Sequence, residues 1–516
     1  MIRLLVTLSI VLGSLNWSLS AHAADAKPAR PNIVIILADD VGYHDLSCYG
    51  ATKTQTPHLD RLAKAGTRFL DAHSPSSVCT PTRYAFLTGQ YAWRHAPGSG
   101  IMSGVTPLCI PTSRATIAST LKQAGYKTGV VGKWHLGFGA EGDTNYNAPL
   151  KPGPLEIGFD YAFLMPATGD RVPTVYVKNH EVVGLDANDP LQLNYKAKIG
   201  TEPTGKENPD LLTNQRPSAG HDNTIVNGIS RIGWMAGGQA ARWVDEDIAD
   251  TFAKEAVAFI EREQAEPFFL FFSTHDIHVP RAPHKRFQGT SAGAKRGDAV
   301  HQLDFQVGAV LDALDRLKLT DNTLVIFTSD NGGVIDDGYQ DGAAMAYKDE
   351  SPNSPLRGFK GQLYEGGHRV PFLARWPGHV KAGATSSELF CHLDLFATTV
   401  AITGAKLAEG AAPDSVNLLG ALTSTGKGRE HLIHHTNGPN GALAIRKGPW
   451  KLIGGMPNPK APDKAAPKKK AGGAYAPAEP GALFNLNDDL QEQKNVAVEN
   501  PEVVKELRDL LERERK

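Results

Sequence analysis

The chain has 516 residues, 41% of them hydrophobic, enough to bury a large core and to form roughly two to four domains. Lys and Arg number 54 against 55 Asp and Glu, a net charge of −1, which excludes a global field that would attract nucleic acid or an acidic membrane surface. A local basic pocket for an anionic group is compatible with that balance. In chain order, residues 1–23 read as a signal peptide: Arg3, an apolar run from Leu4 to Leu15, and the small-x-small site Ala21-His22-Ala23. The apolar run is short for a bilayer span and no later run is long enough, so the expectation is an exported protein, periplasmic or secreted, without stable membrane insertion. Four cysteines, Cys48, Cys79, Cys109 and Cys391, lack zinc-ligand spacing, and a chain of this size does not depend on disulfides.

Residues 33–38 form an unbroken apolar run, which predicts a buried strand over 32–38, and 58–66 predicts a short helix stopped by Gly66. A helix over 116–124 leads to a strand over 127–131. Residues 160–240 are rich in Pro, Gly and Asn with weak periodicity, and read as an insertion over a site. Helices are expected over 247–264 and 298–319, each feeding a strand, 267–273 and 323–328. After about residue 410 the pattern shifts to antiparallel strands at 430–436 and 442–453. A Lys/Pro/Ala-rich loop with Lys468, Lys469 and Lys470 follows over 457–480, then a helix over 502–515. This alternation predicts an α/β fold with a mostly parallel sheet covered on both faces. Three chemical motifs follow apolar strands directly and so belong to one rim.

Asp39-Asp40 closes the first strand and Asp330-Asn331 follows a later one. Hard oxygen donors of this kind suit a divalent cation, Ca²⁺ better than Mg²⁺ in irregular geometry, although each pair alone could be a turn. Cys79 opens a helix, where a thiolate would be stabilised; a simple buried cysteine is the alternative. Arg83, four residues on, shares its helical face. Lys133 and His135 alternate and would project to one side if that segment is extended. His278 precedes Val279-Pro280, and Lys360 sits among glycines.

The motifs run A-D-D-V-G-Y (38–43), T-P-H-L-D-R-L-A (56–63), C-T-P-T-R-Y-A-F-L-T-G (79–89), G-K-W-H-L-G (132–137), H-D-I-H-V-P (275–280), S-D-N-G (329–332) and R-G-F-K-G-Q-L-Y-E-G-G (357–367). In this order and spacing the chain resembles the type I sulfatases from about residue 31 to its end. The resemblance implies an alkaline phosphatase-like fold: a large mixed, mostly parallel sheet sandwiched by helices in a catalytic domain over 24–410, and a smaller α+β subdomain with an antiparallel sheet over 411–516. It implies that a maturation enzyme oxidises Cys79 to formylglycine. One oxygen of the hydrated aldehyde then attacks sulfur, and the second expels sulfate. Asp39, Asp40, Asp330, Asn331 and residue 79 would hold one Ca²⁺. Arg83 would orient the diol, Lys133 bind a sulfate oxygen and His135 take the proton as the intermediate collapses. His278 and Lys360 would contact the bridging oxygen, with His275 secondary. Arg281, His284 and Arg357 are candidates for contacts to the rest of the substrate. The expected substrate is a sulfated carbohydrate, with aryl sulfates as surrogates. The alternatives are a formylglycine-type phosphonate or phosphodiester hydrolase and a non-catalytic, Ca²⁺-stabilised glycan-binding relative.

Overall fold

Residues 30–454 and 479–516 are described by the structure, a computed structural model. The expected leader and residues 457–478, Lys468, Lys469 and Lys470 among them, lie outside the described residues. The elements that build the frame are β1 (Asn32–Ala38), α1 (Pro57–Ala65), β2 (Thr67–Phe69), α2 (Cys79–Thr88), α3 (Ile117–Gln123), β3 (Lys127–Lys133), β4 (Tyr161–Met165), β5 (Val177–Lys178) and β6 (Glu181–Val182). They continue with α4 (Ile248–Glu263), β7 (Phe268–Ser273), α5 (Ala294–Arg316), β8 (Thr323–Ser329), β9 (Phe372–Arg375) and β10 (Ala384–Ser386).

All seven residues of β1 are buried, because the strand is covered on both sides. Ile33, Ile35 and Leu37 enter one core with Phe86 of α2 and Leu121 of α3; Val34, Ile36 and Ala38 enter the other with Leu62 of α1, Phe252 of α4 and Val307 of α5. The sheet has ten strands in the order β10-β2-β9-β8-β1-β7-β3-β4-β5-β6. Its centre, β8-β1-β7-β3-β4, is parallel, and antiparallel pairings begin at β9 on one side and β5 on the other. The register sets Ala38 opposite Ser329, Leu37 opposite Ser273, Ser273 opposite Gly132 and Lys133 opposite Met165. The segments that leave β1, β8, β7, β3 and β4 therefore emerge together at one edge.

The predicted elements recur with shifts of a few residues. Helix α3 starts where Thr116 and Ser119 exchange side-chain and backbone hydrogen bonds, a capping box. Helix α5 begins at Ala294, earlier than its apolar pattern suggests, because Arg296 in its first turn points inward to Asp45 (2.7 Å). One expectation is corrected. Residues 160–240 are not wholly an insertion, since β4 is the fifth parallel strand and β5 and β6 extend the sheet. Five apolar residues between glycine- and proline-rich flanks are too few to display a period. Further on, β11 (His431–His435), β12 (Leu443–Lys447), β13 (Trp450–Ile453) and β14 (Leu483–Asn485) form a separate antiparallel sheet. Helix α6 (Pro501–Glu514) packs Leu507 and Leu511 against Leu432, Ile433 and Leu443 of that sheet.

Candidate active site

Asp39 and Asp40 leave β1 fully buried, held by backbone bonds from Asp39 N to Asp276 O (3.1 Å) and Asp330 N to Ala38 O (3.0 Å). Asp40 takes the left-handed conformation (φ 62°), which short polar side chains tolerate. Asn331 Nδ2 donates to Asp40 Oδ1 (2.7 Å), and the Asp40 amide donates to Asp330 Oδ1 (3.3 Å). Asp39 Oδ1 and Asn331 Oδ1 are buried with no hydrogen-bond partner. An unpartnered buried oxygen is costly, and more so on a carboxylate. Donor atoms of Asp39, Asp40 and His278 lie within 4.8 Å of one another. Orphaned oxygens in an all-oxygen set of Asp39, Asp40, Asp330 and Asn331 fit a hard divalent cation. Burial, with Asp330 and Asp40 nearby, pushes Asp39 well above the usual carboxylate range. Burial acts the same way on Asp40, but the ammonium groups of Lys360 and Lys133 outweigh it and lower its pKa.

Cys79 is the first residue of α2, buried, with Sγ 3.4 Å from His135 Nδ1. The helix terminus does not deliver a thiolate, contrary to one expectation. Burial pushes the thiol pKa up, Asp330 and Asp39 add to that, and Lys133 and Lys360 only oppose it. Arg83 donates Nε and Nη2 to Asp330 Oδ2 (3.0 and 2.8 Å), and Nη1 to the Lys133 carbonyl (3.2 Å) and to Ser273 Oγ. It ties α2 to the ends of three strands.

Lys133 donates to Asp39 Oδ2 (2.5 Å). The segment beyond it is not extended as expected: β3 ends at Lys133 and His135 is left-handed (φ 57°), so the two side chains reach the site by different routes. His135 Nε2 donates to the Met102 carbonyl (2.9 Å), and Thr80 Oγ1 donates to the His135 carbonyl (3.1 Å). That tautomer turns the Nδ1 lone pair towards residue 79. Burial, then Lys133 and Arg171, hold His135 well below the usual imidazole range, so it is a neutral acceptor.

His278 Nδ1 donates to the Val279 carbonyl (2.8 Å), and its Nε2 is 3.9 Å from Asp40 Oδ2. Burial with Lys360 and Lys133 lowers its pKa well below the usual value, so the neutral imidazole is its resting form. Lys360 Nζ donates to Asp40 Oδ2 and to Asp337 Oδ2, both at 2.8 Å. The ten residues expected to hold the ion or to act at the sulfate thus meet at one edge of the sheet.

Three looser candidates do not join them. Arg281 is spent on Asp341 (2.6 Å) and the Val334 and Ile335 carbonyls, Arg357 on the Glu492 carbonyl and the Tyr364 ring, and His284 on Arg286. Basic residues near a motif attract the eye, but Arg281 is buried in structural bonds, and the half-buried His284 and the exposed Arg357 have neighbours of their own. His275 accepts from the Gly169 amide (3.1 Å) and so positions the segment leaving β4. That segment falls in the 160–240 stretch expected to cover a site, but none of its residues was singled out there. Arg171 Nη1 donates to both Asp170 oxygens (2.8 and 2.9 Å) and to Thr168 Oγ1 (2.8 Å), and His221 Nε2 pairs with Asp170 Oδ2 (3.0 Å). Ser273 and Asp337 were missed too; a carboxylate six residues past Asn331 was the only signal of the latter.

Buried cations and imidazoles gathered around an oxygen-rich strand edge equip a hydrolase for anionic esters. A family model described as Sulfatase matches residues 31–405. An N-acetylgalactosamine-6-O-sulfatase of Bacteroides thetaiotaomicron is 49% identical over 484 residues, covering 94% of this chain and 93% of that protein. Human arylsulfatase A is 34% identical over 506 residues, covering 96% and 90%. A solved Bacteroides thetaiotaomicron structure, from work on the metabolism of multiple glycosaminoglycans, superposes with a TM-score of 0.88 at 48% identity, covering 94% of this chain and 98% of that one. The chain belongs to the sulfatase family and is a sulfuric ester hydrolase. Among the described residues no helix is long and apolar enough to cross a membrane.

Proposed function

We propose that this sulfatase acts on a sulfated carbohydrate, with the 6-sulfate of N-acetylgalactosamine as its first candidate, and that it works with residue 79 as formylglycine and a Ca²⁺ ion. The observation that carries the substrate reading is the 49% identity, over nearly the whole of both chains, to a protein with that named activity. Asp39, Asp40, Asp330 and Asn331 would hold the ion, which when bound neutralises charge on the sulfate oxygens and lowers the pKa of a coordinated hydroxyl. A hard ion prefers oxygen to sulfur, which favours the oxidised side chain over the thiol at position 79. The hydrated aldehyde supplies two hydroxyls, one to attack sulfur and one to expel the sulfate afterwards.

The remaining residues have roles that follow from their contacts. Lys133 offers its ammonium to a sulfate oxygen. Arg83, fixed by Asp330, keeps positive charge beside residue 79. His135, neutral and with Nδ1 aimed at position 79, accepts the proton released as the intermediate collapses. Lys360 and His278 approach the same oxygen of Asp40 and face the bridging oxygen, where charge grows as the S–O bond breaks. An anion bound between them opposes the lowering of the His278 pKa and favours its protonated form. Export through residues 1–23, maturation by a formylglycine-generating enzyme and a division near residue 410 complete the reading.

The test is sulfate release from 6- and 4-sulfated N-acetylgalactosamine, 6-sulfated N-acetylglucosamine and 6-sulfated galactose. Fastest turnover of 6-sulfated N-acetylgalactosamine is expected; a clear preference for another sugar or position overturns the substrate assignment. An aryl phosphonate hydrolysed faster than the matching aryl sulfate would contradict the whole reading.

A further inference from the structure

Lys360 commits two of its three N–H groups, one to Asp40 and one to Asp337, and is almost fully buried. Asp40 is fully buried at the strand edge, whereas the Asp337 side chain retains 31% of its exposure on the loop after β8. That loop is laced to the 215–231 stretch. Asp336 Oδ1 accepts from Ser218 Oγ (2.7 Å) and the Gly338 amide (3.0 Å), and the Ser218 amide donates to the Gly338 carbonyl (2.9 Å). The Gln340 amide donates to the Arg216 carbonyl (2.9 Å), and the buried Tyr339 hydroxyl to the Ser230 carbonyl (2.7 Å). Gly338 has φ 107°, and a Cβ there would sit 2.1 Å from the His221 ring, so glycine is required directly after Asp337. An ammonium on a flexible four-carbon stem has no preferred place of its own. Two carboxylates from separate segments give it one.

We propose that Asp337 is a positioning residue: through it the 215–231 stretch holds the Lys360 ammonium where the bridging oxygen departs. The inference rests on the proposed role of Lys360. Its signature is dependence on the leaving group. An alkoxide leaving a sugar sulfate needs a nearby cation far more than a nitrophenolate, which disperses its own charge. Lys360→Ala, Asp337→Asn and Ser218→Ala are compared on 4-nitrophenyl sulfate and on a sulfated monosaccharide, with thermal unfolding confirming that each variant is folded. Asp337→Asn is isosteric and Ser218 is exposed, so neither should disturb folding.

Lys360→Ala is expected to lose about 10²-fold more kcat on the sugar sulfate than on the aryl sulfate, Asp337→Asn about 10-fold more, and Ser218→Ala less, in the same direction. Selective loss in Lys360→Ala with equal losses on both substrates in Asp337→Asn overturns the inference alone. A Lys360→Ala variant without selectivity overturns the role of Lys360, and the inference with it.

Discussion

The edge around Cys79 and the seam beneath the C-terminal sheet bury the same residue types, yet they are organised differently. In the seam, Lys451 meets Glu365 (2.9 Å) and Glu492 (2.8 Å), Arg446 forks onto both Asp71 oxygens (2.6 and 2.7 Å) and Arg369 pairs with Glu365 (3.1 Å). His73 Nε2 pairs with Asp71 (2.8 Å), its Nδ1 lies 3.1 Å from His368 Nδ1, and His368 stacks on His434 with centroids 3.5 Å apart. Parallel rings point their in-plane lone pairs side by side, not at a shared point. Each seam cation faces a carboxylate, and the network joins β12 and β13 to distant parts of the chain. Both regions hold a buried atom without a hydrogen-bond partner and an acidic residue in left-handed backbone: His434 Nε2 and Glu492 (φ 52°) in the seam, Asp39 Oδ1, Asn331 Oδ1 and Asp40 (φ 62°) at the edge around Cys79. Buried charge therefore does not locate a site by itself. What sets the edge around Cys79 apart is that its two orphaned atoms are oxygens, of Asp39 and of the Asn331 that bonds Asp40, gathered where parallel strands end.

Substitutions should pull the two regions apart. Cys79→Ala is expected to lower turnover by about 10⁴-fold or more while leaving thermal unfolding near wild type, because it removes the nucleophile from a site that is not needed for folding. Turnover and unfolding temperature measured on the same preparation check this. Lys451→Ala should do the reverse: breaking a buried ionic pair costs about 3–5 kcal/mol, read by denaturant unfolding, with kcat per folded molecule retained. A large fall in kcat without destabilisation would merge the seam with the site. His135→Ala is expected to reduce kcat by about 10²–10³-fold with little change in stability. An equal fall in stability would make His135 a structural residue.

The smallest effect is a pH dependence of stability. Burial holds His73, His368 and His434 below the usual imidazole range, aided at His368 and His434 by Lys451 and a neighbouring imidazole and outweighing Glu365 and Asp71 at His73. The unfolded chain therefore takes up protons as pH falls below about 6.5 while the folded chain does not, so stability is greatest above that pH and declines below it. Unfolding temperature followed from pH 8 to pH 5 should fall on the acid side, and His434→Gln should flatten the slope. A rising acid limb would contradict the assignment of these groups as neutral.

Much of the edge around Cys79 was legible because parallel strands buried on both faces read as apolar runs, as in 33–38 and 324–327, and Asp39, Asp40, Asp330 and Asn331 follow them closely. The orientation of His135 was not legible, since it depends on one positive φ that no periodicity reveals. Asp337 and the 168–171 segment were hidden for another reason: loops carry no repeat, and their meaning arises only where they fold against Lys360 and His275. The seam was hidden by distance. His73 lies 295 residues before His368, and His434 follows on a third segment, so each alone looks like an ordinary core histidine.

The central claim concerns the side chain at position 79. Preparations with different degrees of maturation can be analysed by mass spectrometry of the peptide containing that residue, which is lighter as the aldehyde than as the thiol, alongside specific activity on an aryl sulfate. Activity rising in proportion to the aldehyde fraction and passing through the origin is the predicted result. Full activity in material that carries only the thiol would contradict the account.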